Sequence, residues 1–319
     1  GRDYNGLKPK LLVKPGDQVT LGQPLFVDKR DPAVPYTAPG SGTVVAVKRG
    51  ARRVLESIEI ELCGEKQSAL AFEPISDAGI DRVDRAVLVG RLLQSGLWTA
   101  FRTRPYSRVP SAGSEPQSIF ITAIDTSPLC ANPSVIIESD PAAFNSGVRI
   151  LSRLTTGAVY LCTGSDWTIT QDDIERVERV VFSGPHPAGL AGTHIHYLDP
   201  VGTGRTVWSI GYQDVLAIGR TLTSGILDTS RVVALAGDCV DRPRLLSTRL
   251  GASIHELVRG EIEAPGDCRV ITGCVLSGRR ADGGNAFVGR YHNQVSVIRE
   301  GGERRRFGWL GLWPRRYSA

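Results

Sequence analysis

A multidomain α/β fold in three parts is what this 319-residue sequence predicts. Three observations carry that reading. Short apolar runs broken by glycine and proline fill residues 1–70. Strand-like and helix-like patterns then alternate through 71–228, and short strands return over 229–290. Residues 291–319 turn polar and basic and read as the opening of a further, truncated region. At roughly 150 residues per domain, the length accommodates two or three units.

In the first part, Val13, Pro15-Gly16-Asp17, Val19, Gly22-Gln23 and Leu25-Phe26-Val27 make two short strands joined by a Gly-Asp turn. A strand over Thr43–Val47, a turn at Gly50 and a strand over Leu55–Leu62 follow. Gly16 and Gly42 are expected to take φ > 0 where the sandwich reverses. In the second part, Ile80, Val83, Val87, Leu88, Leu92 and Leu93 recur near a 3.6-residue period, which predicts a helix within 74–101. Asp81 and Asp84 lie early in it and Gly96 late, as helix ends favour. Strands are predicted at 119–124, 158–162, 180–182 and 206–210, and helices at 141–154 and 213–223. That alternation argues for a layer of largely parallel strands. From Arg231 on, strands at 232–236, 268–271 and 273–277 surround a helix at 253–258.

Composition excludes several classes. Hydrophobic residues at 41% and charged residues at 22% are ordinary for a globular protein. No apolar run approaches the roughly 18 residues that span a bilayer, and no signal peptide opens the chain. The net charge of +5 is scattered, apart from Lys48–Arg53 and the tail Arg304-Arg305-Arg306 with Arg315-Arg316. A nucleic-acid protein concentrates its charge on one stripe, so no nucleic-acid partner is expected; anionic headgroups or an acidic partner suit the tail. Six cysteines, at 63, 130, 162, 239, 268 and 274, form no C-x-x-C. Metal sites need closely spaced thiolates, so the expectation is reduced, mostly buried thiols and no metal.

The best functional loop is Ser183-Gly-Pro-His-Pro-Ala-Gly-Leu-Ala-Gly-Thr-His-Ile-His196, which follows a predicted strand, where open α/β sheets hold ligands. Its glycines at 184, 189 and 192 miss the G-x-G-x-x-G spacing, with His186 in the second-glycine position, and no G-K-[ST] ending makes a P-loop. Gly189 and Gly192 could still bring backbone amides to an anion or planar ring; the other reading is a rigid turn that packs domains. On a strand, His194 and His196 would share a face. Asp125, at the end of the strand 119–124, either holds a ligand hydroxyl or caps the next element. Asp125, His186, Gly189, Gly192 and His194 are therefore the candidate ligand residues. No local pattern signals a catalytic triad, and no catalytic residue is assigned. Trp98, Phe101, Arg102 and Arg104, in the run Ser95-Gly-Leu-Trp-Thr-Ala-Phe-Arg-Thr-Arg-Pro-Tyr-Ser107, interleave aromatics with arginine as docking surfaces do, and are read as an interface segment that is also part core.

Several segments resemble known families. The pattern of 13–44 is similar to the biotinyl/lipoyl carrier domain. Asp31 stands where the carrier lysine belongs, and Lys29 lies near it without a clean hairpin, so carrier chemistry is not expected. Residues 232–277 resemble the soluble-ligand-binding β-grasp (SLBB) domains, which follow a Rossmann-like domain in the NADH-binding flavoprotein of complex I. The run 95–107, the loop 184–196, Gly211-Tyr-Gln-Asp-Val215 and Gly289-Arg-Tyr-His-Asn-Gln-Val-Ser-Val-Ile298 together resemble the NqrA family, one of the subunits of the Na⁺-translocating NADH:quinone reductases. That resemblance implies a peripheral subunit on the cytoplasmic face of the bacterial inner membrane, in a six-subunit enzyme that oxidises NADH, reduces ubiquinone and exports Na⁺. Flavins and the iron–sulfur centre would belong to partner subunits, ubiquinone being the ligand open to this chain. The alternative it leaves is a docking or assembly subunit with a decayed nucleotide site. An electron-transport protein of the RnfC type fits less well, because those chains carry ferredoxin-like cysteine clusters. The expected outcome for the isolated chain is a colourless protein that does not oxidise NADH, checked by its visible spectrum and an NADH assay; one tightly bound flavin per chain would contradict it.

Overall fold

The computed structural model describes residues 3–64, 68–170, 173–262 and 268–300. The chain begins with β1 (Pro9–Leu11), β2 (Gln18–Val19), β3 (Pro24–Asp28), β4 (Asp31–Thr37), β5 (Gly42–Arg49) and β6 (Leu55–Leu62). They form two three-stranded antiparallel sheets, ordered β1-β3-β4 and β2-β5-β6, over a small core of Val13, Val19, Leu25, Ala38 and Val44. Gly16 takes φ +94° as expected. Gly42 does not have a positive φ; it is required because a Cβ there would lie 2.0 Å from the Glu61 carbonyl oxygen across the β5–β6 pair. β3 and β4 do form a hairpin, with Asp28 opposite Asp31 and Lys29-Arg30 at its tip, but its register shifts between Val27 and Asp28 and between Pro24 and Phe26, so it is not a clean one.

The middle of the chain starts with a 3₁₀ turn over Asp77–Arg82, then α1 (Arg85–Ser95) and a second 3₁₀ turn over Leu97–Ala100. The single helix expected over 74–101 is thus interrupted twice. Val83 and Asp84 are extended, and Gly96 ends α1 at φ +80°. There follow β7 (Arg102–Arg104), β8 (Ile119–Ala123), α2 (Pro133–Ile137), α3 (Pro141–Ser152), β9 (Val159–Thr163), β10 (Val177–Val181), α4 (Ala191–Leu198), β11 (Val207–Gly211) and α5 (Tyr212–Ser224). The sheet runs β10-β9-β8-β11-β7, all parallel except the edge strand β7. Taken in chain order the parallel strands lie third, second, first, fourth, the doubly wound order of dinucleotide-binding layers. On one face α3 and α5 touch backbone to backbone: a Cβ on Gly219 would sit 1.9 Å from the Ala143 carbonyl oxygen, and one on Gly147 2.2 Å from that of Val215.

The last sheet is built from β12 (Ser230–Ala236), β13 (Arg244–Arg249), β14 (Cys268–Thr272), β15 (Arg279–Arg280) and β16 (Gln294–Arg299), in the order β13-β12-β16-β14-β15. One short helix, α6 (Ile254–Leu257), is N-capped by Ser253, whose Oγ accepts the Glu256 amide. The central strand β16 pairs parallel with β12 and antiparallel with β14. A boundary at residue 290 would remove it and leave the sheet in two halves, so this module extends to at least Arg299. The segment 273–277 is a turn instead of a strand. Cys239 and Cys268 form a disulfide, which corrects the expectation of six reduced thiols; the spacing of 29 residues hides a pairing made across the sheet. The tail arginines 304–306 and 315–316 lie outside the described residues.

The second and third modules are joined by buried polar groups. Arg231, 1% exposed in its side chain, donates to the Asp214 carboxylate, and Arg290 donates to the same oxygen from the other side at 3.1 Å. Beside them the Gln213 amide pairs with the Val232 backbone in both directions, at 2.7 and 2.9 Å. Removing one partner of such a buried ion pair strands the rest and costs about 3–5 kcal/mol. Asp214→Asn should therefore lower stability by about that amount, read as a shift of the denaturant midpoint, with Asp214→Glu falling between it and the parent.

Candidate functional site

In a sheet wound this way the ligand crevice opens at the carboxyl ends of the strands, where the order reverses. Here that point lies between β8 and β11, at the loop starting with Asp125 and at the amino end of α5. Asp125 Oδ1 accepts the Ser127 amide at 2.9 Å, an Asx turn that fixes its own loop. Thr126 Oγ1 accepts the Gly189 amide at 2.9 Å and faces His186 Nδ1 at 3.3 Å. A Cβ on Gly189 would lie 2.7 Å from the Thr126 amide nitrogen. The glycine is needed so that loop 183–190 can close onto loop 124–127. Cys130 donates its S–H to the Asp125 carbonyl; burial, then the Asp125 charge, pushes its thiol up to about 11.

His194 and His196 lie on α4, where residues two apart point to opposite sides, so the shared face expected of a strand is not formed. His194 is fully buried, with Nε2 2.9 Å from the Ala188 carbonyl oxygen and its ring 4.3 Å from that of Phe182. Since a carbonyl only accepts, Nε2 carries the proton. His196 is exposed and sits edge-on to Tyr197. Gly192 is exposed on the first turn of α4 with open space around it. The structure therefore brings Asp125, Thr126, His186 and Gly189 together and uses His194 to brace the loop from beneath. Among the described residues no group of three or more His, Cys, Asp or Glu could hold a metal ion.

What occupies the crevice is the chain's own third module. Gln294, on β16, donates to the Pro128 carbonyl at 3.0 Å, and Gln213 and Asp214, in the first turn of α5, are taken up by Val232, Arg231 and Arg290. These residues were not singled out as site residues by sequence reasoning. The signal was present in the two motifs around 211–215 and 289–298, whose polar residues meet in space.

A cavity of about 990 Å³ opens elsewhere, at the junction of all three modules, between β6 and β13, and its wall includes none of the candidate ligand residues. Phe26 and Tyr36 line it as a stacked pair, centroids 4.5 Å apart, with Tyr4 edge-on to Tyr36 at 4.7 Å. Burial above all holds the Tyr36 phenol well over its ordinary range, so it stays a neutral donor. Arg290 also reaches the wall, and its Nε–H is buried without a partner.

Trp98 and Phe101 are not on a docking surface. Both are fully buried and form a cluster with Trp208, with centroids 5.2–5.5 Å apart, while Trp98 Nε1 donates to the Pro110 carbonyl. The turn over 97–100 folds their rings inward because β7 pairs with β11. Arg102 and Arg104 are half-buried, Arg102 lying 3.9 Å over the Tyr291 ring.

Residues 1–63 match the family described as the NqrA N-terminal barrel-sandwich hybrid domain, 83–227 the NqrA second alpha/beta domain, and 232–283 the NQRA C-terminal domain. The chain belongs to the NqrA family. It is 51% identical over 309 residues to the NqrA subunit of the Na⁺-translocating NADH-quinone reductase of Rhodopirellula baltica, spanning 97% of this chain and 68% of that one. The corresponding subunits of Serratia proteamaculans and Pseudomonas aeruginosa are each 49% identical over all of this chain and over 71% and 70% of theirs. NqrA membership makes it one subunit of a multisubunit reductase, and the family's domain order agrees with the mixed α/β architecture expected from sequence. Among the described residues no helix is long and apolar enough to cross a membrane.

His194 gives this site a pH signature. Burial holds its pKa below the ordinary imidazole value, so the unfolded chain binds the proton more readily. Its contribution is intact above about pH 6.5 and is lost as pH falls toward the depressed native value. The melting temperature should decline below about pH 6.5, and His194→Gln should flatten that decline.

Proposed function

We propose that this NqrA chain stands peripherally at the cytoplasmic face of the inner membrane, one of six subunits, and contributes to ubiquinone reduction coupled to Na⁺ export while holding no flavin or NADH itself. The observation that supports this is the filled crevice: where a nucleotide would lie on the layer, Gln294 reaches Pro128, and Arg231 and Arg290 close on Asp214. A dinucleotide could enter only by separating the second and third modules.

The quinone is assigned to the three-module cavity. A planar ring suits the Phe26–Tyr36 wall, and Arg290 Nε–H with the Tyr4 and Tyr36 hydroxyls supplies donors for its carbonyl oxygens. This chain would bind and orient the ring; the electrons come from partner subunits. Asp125 and His186 form the competing position, with Gly189, Gly192 and His194 as its frame. It is reachable from solvent, but its loops are closed on each other.

Titrating the full chain with a short-chain ubiquinone, followed by tryptophan fluorescence, tests both positions. Saturable binding in the micromolar range is expected. Tyr36→Leu should weaken it at least about tenfold through lost stacking and a lost donor, while Asp125→Asn and His186→Ala leave it unchanged. The reverse pattern would move the quinone to the loop. Absence of binding, with activity lost only in the assembled enzyme, would leave this chain the role of docking and assembly.

A further inference from the structure

Three segments from distant parts of the sequence meet at one end of the molecule: residues 4–8, the β3–β4 hairpin tip, and the turn after β7. Gly6 marks the meeting point, since a Cβ there would lie 3.1 Å from an Arg30 guanidinium nitrogen and 3.3 Å from Arg108 Nε. Asn5 donates to the Tyr106 carbonyl at 3.5 Å, and the Lys29 amide to the Lys8 carbonyl at 2.8 Å. Five cations, Lys8, Lys29, Arg30, Arg104 and Arg108, are thereby gathered together.

Among the described residues none of the five is in an ion pair, although two carboxylates lie close by. Asp28 accepts the Arg30 and Lys8 backbone amides, and Asp31 accepts those of Ala33 and Ala112. Both are taken up by the backbone, and five cations against two carboxylates leave a net +3. By contrast Lys48, in the other basic run, is paired with Glu59. Arg104, at the start of the same turn, is held below the ordinary arginine range by burial first and then by Arg102.

Tyr106 stands among these cations with 76% of its surface exposed and the Arg108 guanidinium 5.5 Å from its ring. Its φ is +77°, and that of Ser107 is +50°. Non-glycine residues rarely adopt the left-handed region, and a bulky side chain held there points to a use for its direction. The side chain that meets its ring is a cation, Arg108, whereas the centre of a protein interface is poor in charge. A ring with a polar tip among unpaired lysines and arginines is instead the pattern of a bilayer's headgroup level.

We propose that this end of the molecule, Tyr106 with Lys8, Lys29, Arg30, Arg104 and Arg108, binds the anionic phospholipid surface of a membrane. The site does not depend on where quinone binds. Flotation of the full chain with phosphatidylcholine vesicles, with and without phosphatidylglycerol, tests it. Binding is expected only with phosphatidylglycerol present and is expected to fall as salt is raised. Arg30→Ala and Arg108→Ala should each weaken it about fivefold, the share of one basic side chain near such a surface. Tyr106→Ser should weaken it further without changing the salt dependence, and Arg242→Ala with Arg259→Ala, on the third module, should leave it within about twofold. Equal binding to neutral vesicles would overturn the proposal, as would equal losses in the distant pair. So would the absence of vesicle binding while polyglutamate is bound through Arg30 and Arg108, which would make the surface one for an acidic protein segment.

Discussion

One carboxylate holds the described fold together. Asp214 lies at the amino end of α5, inside the layer, and receives Arg231 from one strand and Arg290 from a loop much further along the chain. Guanidiniums keep their charge at any physiological pH, so two buried positive groups depend on one negative group. Asp228 adds a further attraction on Arg231, but Asp214 is the carboxylate both guanidiniums touch, and its loss would leave charge unpaired in a low-dielectric interior. The relative position of the α/β layer and the β-grasp sheet follows from this geometry, and so does the filling of the crevice. A site that elsewhere in doubly wound folds receives a ligand is here an intramolecular joint.

The same region connects to the N-terminal sandwich through aromatic rings. Phe26 stacks on Tyr36, Tyr36 meets Tyr4, Tyr4 meets Tyr291, and Arg102 covers Tyr291, whose hydroxyl donates to the Thr99 carbonyl. Each contact crosses from one module to another or braces one that does. The cavity lies beside this series, with Tyr4, Phe26 and Tyr36 in its wall. One of its polar groups, Arg290, also belongs to the joint.

Much of this could be read from the sequence, for physical reasons that differ by element. Strands 119–123, 159–163 and 207–211 and helix α5 are almost wholly buried, and runs dense in β-branched and aliphatic residues announced them. The division of 74–101 was harder to read, because its apolar period continues across Val83 and Gly96 while the backbone does not. Trp98 and Phe101 misled because arginine beside tryptophan looks the same whether the ring faces in or out; only the pairing of β7 with β11 decides it. Whether His194 and His196 shared a face depended on the segment being a strand; it is helix α4, and the His194 ring reaches six residues back to the Ala188 carbonyl in the loop before it. The Cys239–Cys268 bond and the Asp214 joint join residues far apart in the chain, and no local pattern contains such information.

The chain order of the joint also matters while the protein is being made. On a ribosome the layer's strands and α5 emerge with Asp214 before either arginine exists to meet it. Until the chain has been extended past residue 290, and β16 has followed, the nascent polypeptide carries a carboxylate that its finished form would bury. Water meets that carboxylate until then, and the joint itself is completed only after both arginines and β16 have been made.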